Sequence, residues 1–251
     1  MNALPLLTTA EVRALEERAA RDLAGPTLMQ RAGAAVAETA RAMLPEEGGT
    51  ILVAAGPGNN GGDAWVAAEL LRRSFHRVLV LDAVGSAPKA PEARAAREAY
   101  LAAWGQAVRE WPVETRPALV VDGLLGIGLA RDVEGELARL IHRINACGAP
   151  VLAIDVPSGI ASDTGAVRGA AVRATRTLTF LARKAGLHTG AALDHAGEVV
   201  LEPLVDDPRL VAGLPGSLLT PEAMRGVLAP RARDSHKGSY GTLGIVGGGR
   251  G

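Results

Sequence analysis

The chain has little of several things that usually announce a function. It has one cysteine, Cys147, in 251 residues. That excludes a disulfide framework and a thiolate zinc site. No run of about 18 apolar residues escapes a charge, so no membrane-spanning helix is expected. The stretch MNALPLLTTAEVRALEE turns acidic before a signal-peptide core could form, which makes the cytoplasm the expected compartment. Net charge is zero, with 27 basic and 27 acidic residues. There is then no electrostatic footprint for nucleic acid or an acidic membrane. Lysine is reduced to Lys89, Lys184 and Lys237, and asparagine to Asn2, Asn59, Asn60 and Asn145. Where alanine and arginine have replaced so much, the survivors are enriched for places where the side chain matters.

What is present is an ordinary globular composition, 48% apolar and 22% charged. The length suits one large domain or two small ones, and burial on folding is sufficient without a staple. Thr8 and Glu11 have capping-box spacing ahead of EVRALEERAARDLAG, which predicts a helix ended by Gly25-Pro26. A second helix follows over LMQRAGAAVAETARAML. Apolar runs at 50–55, 77–83, 118–123, 150–156, 175–182 and 197–204 read as strands. Helices are predicted between them over 63–73, PEARAAREAYLAAWG and EGELARLIHRINACG. Near-continuous apolar strands alternating with helices predict a three-layer, Rossmann-like α/β fold, its mostly parallel sheet covered by helices on both faces. Ligands of such sheets sit at the carboxyl ends of the strands.

The texture changes near Pro208. Residues 210–230 read as a connector with one short helix, and 242–246 as a strand followed by glycines. The expected boundaries are a first domain over 1–209, then a linker and the truncated start of a second domain over 210–251. Residues from about Pro208 onward are expected to add little stability.

Function is read from the strand ends. Gly56-Pro57-Gly58-Asn59-Asn60-Gly61-Gly62-Asp63 formally contains GxGxxG, with Asp82 where a ribose-binding acid belongs, so a nicotinamide oxidoreductase is one reading. Against it, Asp63 is expected at the helix N-terminus, where it would repel a pyrophosphate. No Lys-Ser/Thr follows, so this is not a P-loop. Asp122 ends the strand before LLGIG, and Asp155 ends the strand before VPSG. Asp63, Asp122 and Asp155, with amide carbonyls and Ser158, suit a hard cation bound by oxygen. Gly126 to Gly128, with Arg131 close by, can offer amides to a phosphate. Single strand-end Asp residues are commonly turn caps; three beside glycines argue against that. Lys184 is expected on the same rim. A non-catalytic binding module is the remaining reading.

GPGNNGGD, VDGLLGIG, AIDVPSGI and FLARKAGLHTG, in this order and spacing, resemble the NAD(P)H-hydrate epimerase family, which also forms the N-terminal domain of bifunctional NAD(P)H-hydrate repair enzymes. The resemblance covers about residues 8–205 and includes the Arg31-Ala32-Gly33 triplet. RDSHKGSYGTLGIVGGG looks like the entry to a ribokinase-like, ADP-dependent dehydratase domain, without its nucleotide-binding core; dehydratase activity is not expected of this chain.

The resemblance implies epimerisation of the R and S hydrates of NADH and NADPH at C6 of the nicotinamide ring, in repair of damaged cofactor. It implies potassium at Asn60, Asp122 and Ser158. It implies substrate contacts at Asn59, Asn60, Gly61, Gly62 and Asp63, at Gly126, Ile127, Gly128, Leu129, Ala130, Arg131 and Asp132, and at Asp155. Asp155 and Lys184 are the expected catalytic pair. A dehydratase domain is the expected partner and a homodimer the expected assembly. One departure is visible: the family's GGDG is GGDA here, so Ala64 must be helical to avoid strain.

Overall fold

The computed structural model describes residues 4–21, 23–82, 88, 90–211, 214, 216–221, 232–236 and 238–239. The chain forms two compact units, Leu4–Ser217 and a second one of residues 1–3 and 218–251. The expected strand at 242–246, and Lys89 and Lys237, lie outside the described residues. Among those, no helix is long and apolar enough to cross a membrane.

In chain order the main unit runs β1 (Leu4–Leu7), α1 (Thr9–Arg21), α2 (Leu28–Met43), β2 (Thr50–Ala55), α3 (Asn59–Arg73), β3 (Arg77–Asp82), α4 (Pro91–Ala102), β4 (Gln106–Val108), β5 (Leu119–Gly123), α5 (Gly135–Ala146), β6 (Val151–Ile154), β7 (Arg176–Phe180), β8 (Arg183–Lys184) and β9 (Glu198–Glu202). Seven strands pair in the order β4-β3-β2-β5-β6-β7-β9, every pair parallel. The alternation of side chains along each strand divides the core in two. Ile51, Val53, Leu119 and Val121 pack with Trp65, Leu71 and Tyr100 on the α2–α3–α4 face. Leu52, Ala54 and Val120 pack with Ile141 and Ile144 of α5 on the other. Strand order reverses at β2, which lies between β3 and β5. The crossovers leave β2 and β5 toward opposite faces, so their carboxyl ends open a crevice where such folds bind ligands.

Two local features shape that crevice. Thr8 and Glu11 form the predicted capping contact, the Thr8 amide donating to Glu11 Oε2 at 2.7 Å, and this starts α1. Arg31 on α2 donates to the carbonyls of Pro26, Ala24 and Leu204, each at 3.0 Å, and so ties the α1–α2 turn to the segment after β9. Two residues on, a Cβ at Gly33 would lie 2.4 Å from Val66 Cγ1 and 3.0 Å from the Asp63 carbonyl. The Arg31-Ala32-Gly33 triplet therefore presses α2 onto α3 beside the crevice.

The unit also continues past the expected boundary at 209. Leu210 and Leu214 pack on the cluster of Leu7, Val12, Leu15 and Ala19. Arg18 donates to the Leu210 carbonyl at 3.3 Å, and the Leu6 amide to the Gly216 carbonyl at 3.0 Å. Leu210, Leu214 and Gly216 thus contact α1 and β1 beyond the expected boundary at 209.

Candidate active site at the sheet's switch point

The turn after β2 differs from its sequence reading. α3 begins at Asn59, four residues earlier than expected, with Gly58 as an N-cap that makes no side-chain cap bond. Gly61 and Gly62 lie within the first turn because the neighbours leave no room for more. A Cβ on Gly61 would sit 1.9 Å from the Gly56 carbonyl oxygen, and one on Gly56 would sit 1.8 Å from that of Leu124. The glycines bring the β2 turn, α3 and the β5 loop together. Asp63 is one turn inside the helix and buried, so it does not guard the N-terminus against an anion; the end amides of α3 are bare. Ala64 is helical and fully buried, as the departure from GGDG requires.

Under this turn lies a polar knot. Asp122 is wholly buried at the end of β5. Its carboxylate accepts from Ser158 Oγ at 2.6 Å, the Ser158 amide at 2.9 Å and the Leu124 amide at 3.3 Å. Ser158 Oγ accepts from the Leu125 amide at 2.9 Å, and Asn60 Nδ2 donates to the Leu125 carbonyl at 2.9 Å. The three residues expected to share a cation therefore meet around the Leu125 peptide. Burial pushes the Asp122 carboxyl up to about 6, against the lowering by its Ser158 and Leu124 donors. No cationic side chain pairs with it among the described residues. A buried carboxylate, an amide oxygen, a hydroxyl and a main-chain carbonyl, with no nitrogen or sulfur ligand, fit a monovalent hard cation.

The second cluster stands at the end of β6. Asp155 leaves the strand with φ of 65°, a left-handed conformation that Asp tolerates better than most residues. Its amide donates to the Leu178 carbonyl at 2.8 Å, which turns the carboxylate toward β7. There it accepts from Lys184 Nζ, Thr179 Oγ1 and the Phe180 amide. Lys184 is 1% exposed and gives its other protons to Thr179 Oγ1 at 3.0 Å and the Phe180 carbonyl at 2.9 Å. All three ammonium protons are thus engaged. Lys184 stands behind Asp155 rather than in the crevice.

The crevice is a pocket of about 380 Å³ lined by Asn59, Asn60, Asp63, Asp155, Phe180, the 124–129 loop and two residues of α1, Arg13 and Glu16. Of the expected contacts it gathers Asn59, Asn60, Asp63, Asp155, Gly126, Ile127, Gly128 and Leu129. Gly61 and Gly62 are buried in α3, while Ala130, Arg131 and Asp132 lie outside the lining. Asp132 instead accepts from Arg168 Nε at 2.6 Å. Burial raises the Asp63 carboxyl well above 3.8, reinforced by the charges of Asp155, Glu16 and Glu92. Asp82, the candidate ribose acid, accepts from Arg97 Nη2 and Nε at 2.8 and 3.1 Å, so its carboxylate is already committed.

Arg13 and Glu16 were not legible as site residues. The available signal was position: Glu16 is four residues after Val12, on the side of α1 that buries Val12, Leu15 and Ala19. A larger cavity, about 670 Å³, lies elsewhere, between α2, α3 and α4. It is lined mostly by apolar side chains such as Met29, Val66, Leu70 and Ala96.

Comparison with known proteins shows the family. The family model described as YjeF-related protein N-terminus matches residues 25–186. An NAD(P)H-hydrate epimerase of Bordetella pertussis is 45% identical over 206 residues, 80% of this chain and 89% of that protein. A bifunctional NAD(P)H-hydrate repair enzyme of Escherichia coli is 39% identical over 243 residues, 94% of this chain and 46% of that protein. This chain thus spans about half the length of the bifunctional relative. A crystal structure of the yeast protein ynu0 superposes with a TM-score of 0.71 at 16% identity, over 86% of this chain and 96% of that one, a likeness of fold.

Proposed function

The chain belongs to the YjeF-related N-terminal family, the NAD(P)H-hydrate epimerases among its relatives, and from this we infer that it epimerises the R and S hydrates of NADH and NADPH, an isomerase of cofactor repair. The observation that carries the reading is Asp155, held by Lys184 at the wall of the switch-point pocket with Asp63 beside it.

The hydrate bears a hydroxyl on C6, next to the ring nitrogen. A proton delivered to that oxygen lets it leave as water, the C–O electron pair going with it. The lone pair of N1 forms the N1=C6 bond of a planar iminium. Water then adds to the other face, its proton goes to a base, and the π electrons return to nitrogen. Asp155 is placed to move the proton, and Lys184 to hold Asp155. Carboxylates around the ring favour the cation that develops. The bare N-terminus of α3, the Gly126–Gly128 loop and Arg13 form the end of the pocket suited to the substrate's phosphates.

Potassium is the cation we assign to Asn60, Asp122, Ser158 and the Leu125 carbonyl. Bound there, it would balance the Asp122 charge and stiffen the 124–129 loop that lines the pocket. Anomalous scattering identifies it; ligand distances near about 2.1 Å would mean magnesium instead. A dehydratase domain that consumes the S hydrate is the partner that makes epimerisation useful, and the cytoplasm, suited to the free Cys147, is where we place the enzyme. A homodimer is supported by the apolar groove between α2, α3 and α4; light scattering decides it. The test of function is a coupled assay: mixed hydrates, excess separate dehydratase, and this chain as the only variable. The R form should be consumed well above its spontaneous rate; no acceleration refutes the reading.

A further inference from the structure

Glu16 has no role in the account above, yet its position is unusual for a glutamate. It comes from α1, a helix outside the main sheet, and sits on the same side as the buried Val12, Leu15 and Ala19. It lines the switch-point pocket together with Asp155 and Asp63. It also lines the adjoining cavity of about 460 Å³, which shares Asn59, Asp63 and Phe180 with the first. Glu16 therefore stands where the two cavities meet, and among the described residues no ion pair or hydrogen bond fixes its carboxyl. Three carboxyls from three elements, α1, α3 and the end of β6, thus converge on one space.

An epimerase with a planar intermediate has a geometric need that one carboxyl does not meet. Water must leave one face and enter the other, so a proton is given on one side and taken on the other. We propose that Glu16 is the second proton-transfer residue of the epimerase, serving the ring face opposite the one served by Asp155. This rests on the epimerase reading above. In one direction the protonated carboxyl of one residue donates to the departing C6 oxygen, and N1=C6 forms as C6–O breaks. A water molecule, deprotonated by the carboxylate of the other, forms the new C6–O bond while the π pair returns to N1. In the other direction the two residues exchange roles. The net change is one proton moved between the two carboxyls, which is reset by exchange with water. The environment favours the protonated form: burial raises the Glu16 carboxyl, and Asp155 adds to the rise, against Lys184 and Arg13. The other charges around the junction are those of Asp63, Glu92 and Glu17.

The experiment compares Glu16→Gln, Glu16→Asp and Glu16→Ala with the unaltered chain, all checked for melting temperature. Rates are taken above the spontaneous level across pH 5–9. Glu16→Gln should lose about 10²–10⁴ in kcat with KM little changed, and with it one limb of the pH profile. Glu16→Asp should regain part of the loss, and formate should accelerate Glu16→Ala without accelerating the unaltered chain. If Glu16→Gln keeps more than about a third of the rate, or if the loss falls on KM with the profile intact, Glu16 is no proton-transfer residue. If Glu16→Gln does not fold, formate rescue of Glu16→Ala decides alone: rescue supports the role, its failure overturns it. No acceleration by the unaltered chain would instead overturn the epimerase reading itself, and this proposal with it.

Discussion

Lys184 and Asp155 form one buried unit, in which the ammonium group also reaches Thr179 and the Phe180 carbonyl. Asp155→Asn keeps the shape but not the proton, and its epimerisation rate above the spontaneous level should fall by about 10²–10⁴. Lys184→Met should lose a comparable factor, because Asp155 is then misplaced. It should also lose about 3–5 kcal/mol of stability, since a buried carboxylate is left without its cation. The double variant should be little slower than either single one. Steady-state rates and denaturant melts of all three check this; a retained tenth of the rate in Asp155→Asn would remove it from the chemistry.

Asp63 should cost stability at neutral pH. Its carboxyl holds its proton more tightly folded than unfolded. Its favourable contribution is complete below the unfolded value near 3.8 and is lost as pH rises through the higher folded value. Asp63→Asn should therefore raise the melting temperature at pH 8 and leave it almost unchanged at pH 3.5. The same variant should bind substrate more weakly. A melting curve that shifts equally at both pH values would contradict the assignment.

The glycines of the switch point separate into two kinds. Gly56→Ala drives a methyl group into the Leu124 carbonyl and should cost at least about 3 kcal/mol, the upper range for overpacking. Gly128→Ala meets nothing closer than 3.9 Å, at Arg13 Nη2, and should leave stability within about 0.5 kcal/mol. Its effect should fall on substrate affinity, measured by titration.

Truncation should show where the unit ends. Removing 210–251 takes Leu210, Leu214 and the Gly216 carbonyl from α1 and β1. That should cost about 2 kcal/mol, or about 4–8 °C.

The long elements were legible because their signals are local. Apolar runs such as TILVAA and VLAI have no reading other than buried strands once helices alternate with them. Asp122, Asp155 and Ser158 were legible because strand ends beside glycine carry the chemistry of this architecture. What was hidden depends on partners distant in sequence. β1 is a four-residue LPLL whose pairing residues, Arg183 and Lys184, are far along the chain. β4 is a three-residue edge strand with little apolar pattern. The start of α3 was misplaced because glycine pairs normally break helices, and only the pressure of Gly56 and Met29 against Gly61 and Gly62 explains them inside one. Glu16 was hidden because a charge on α1 has no meaning until Asp155 and Asp63 arrive opposite it.

The parallel pairing of Leu7 with Lys184 has a consequence for the order in which the protein is made. Leu4–Leu7 are made about 180 residues before their partner emerges. At about 5–20 residues per second, that is an interval of roughly ten to thirty-five seconds. Until then β1 lacks the β8 strand it pairs with in the folded unit. The backbone of the lysine that holds Asp155 thus pairs with a strand translated much earlier. The contact between Leu7 and Lys184 therefore forms only after residue 184 has been translated.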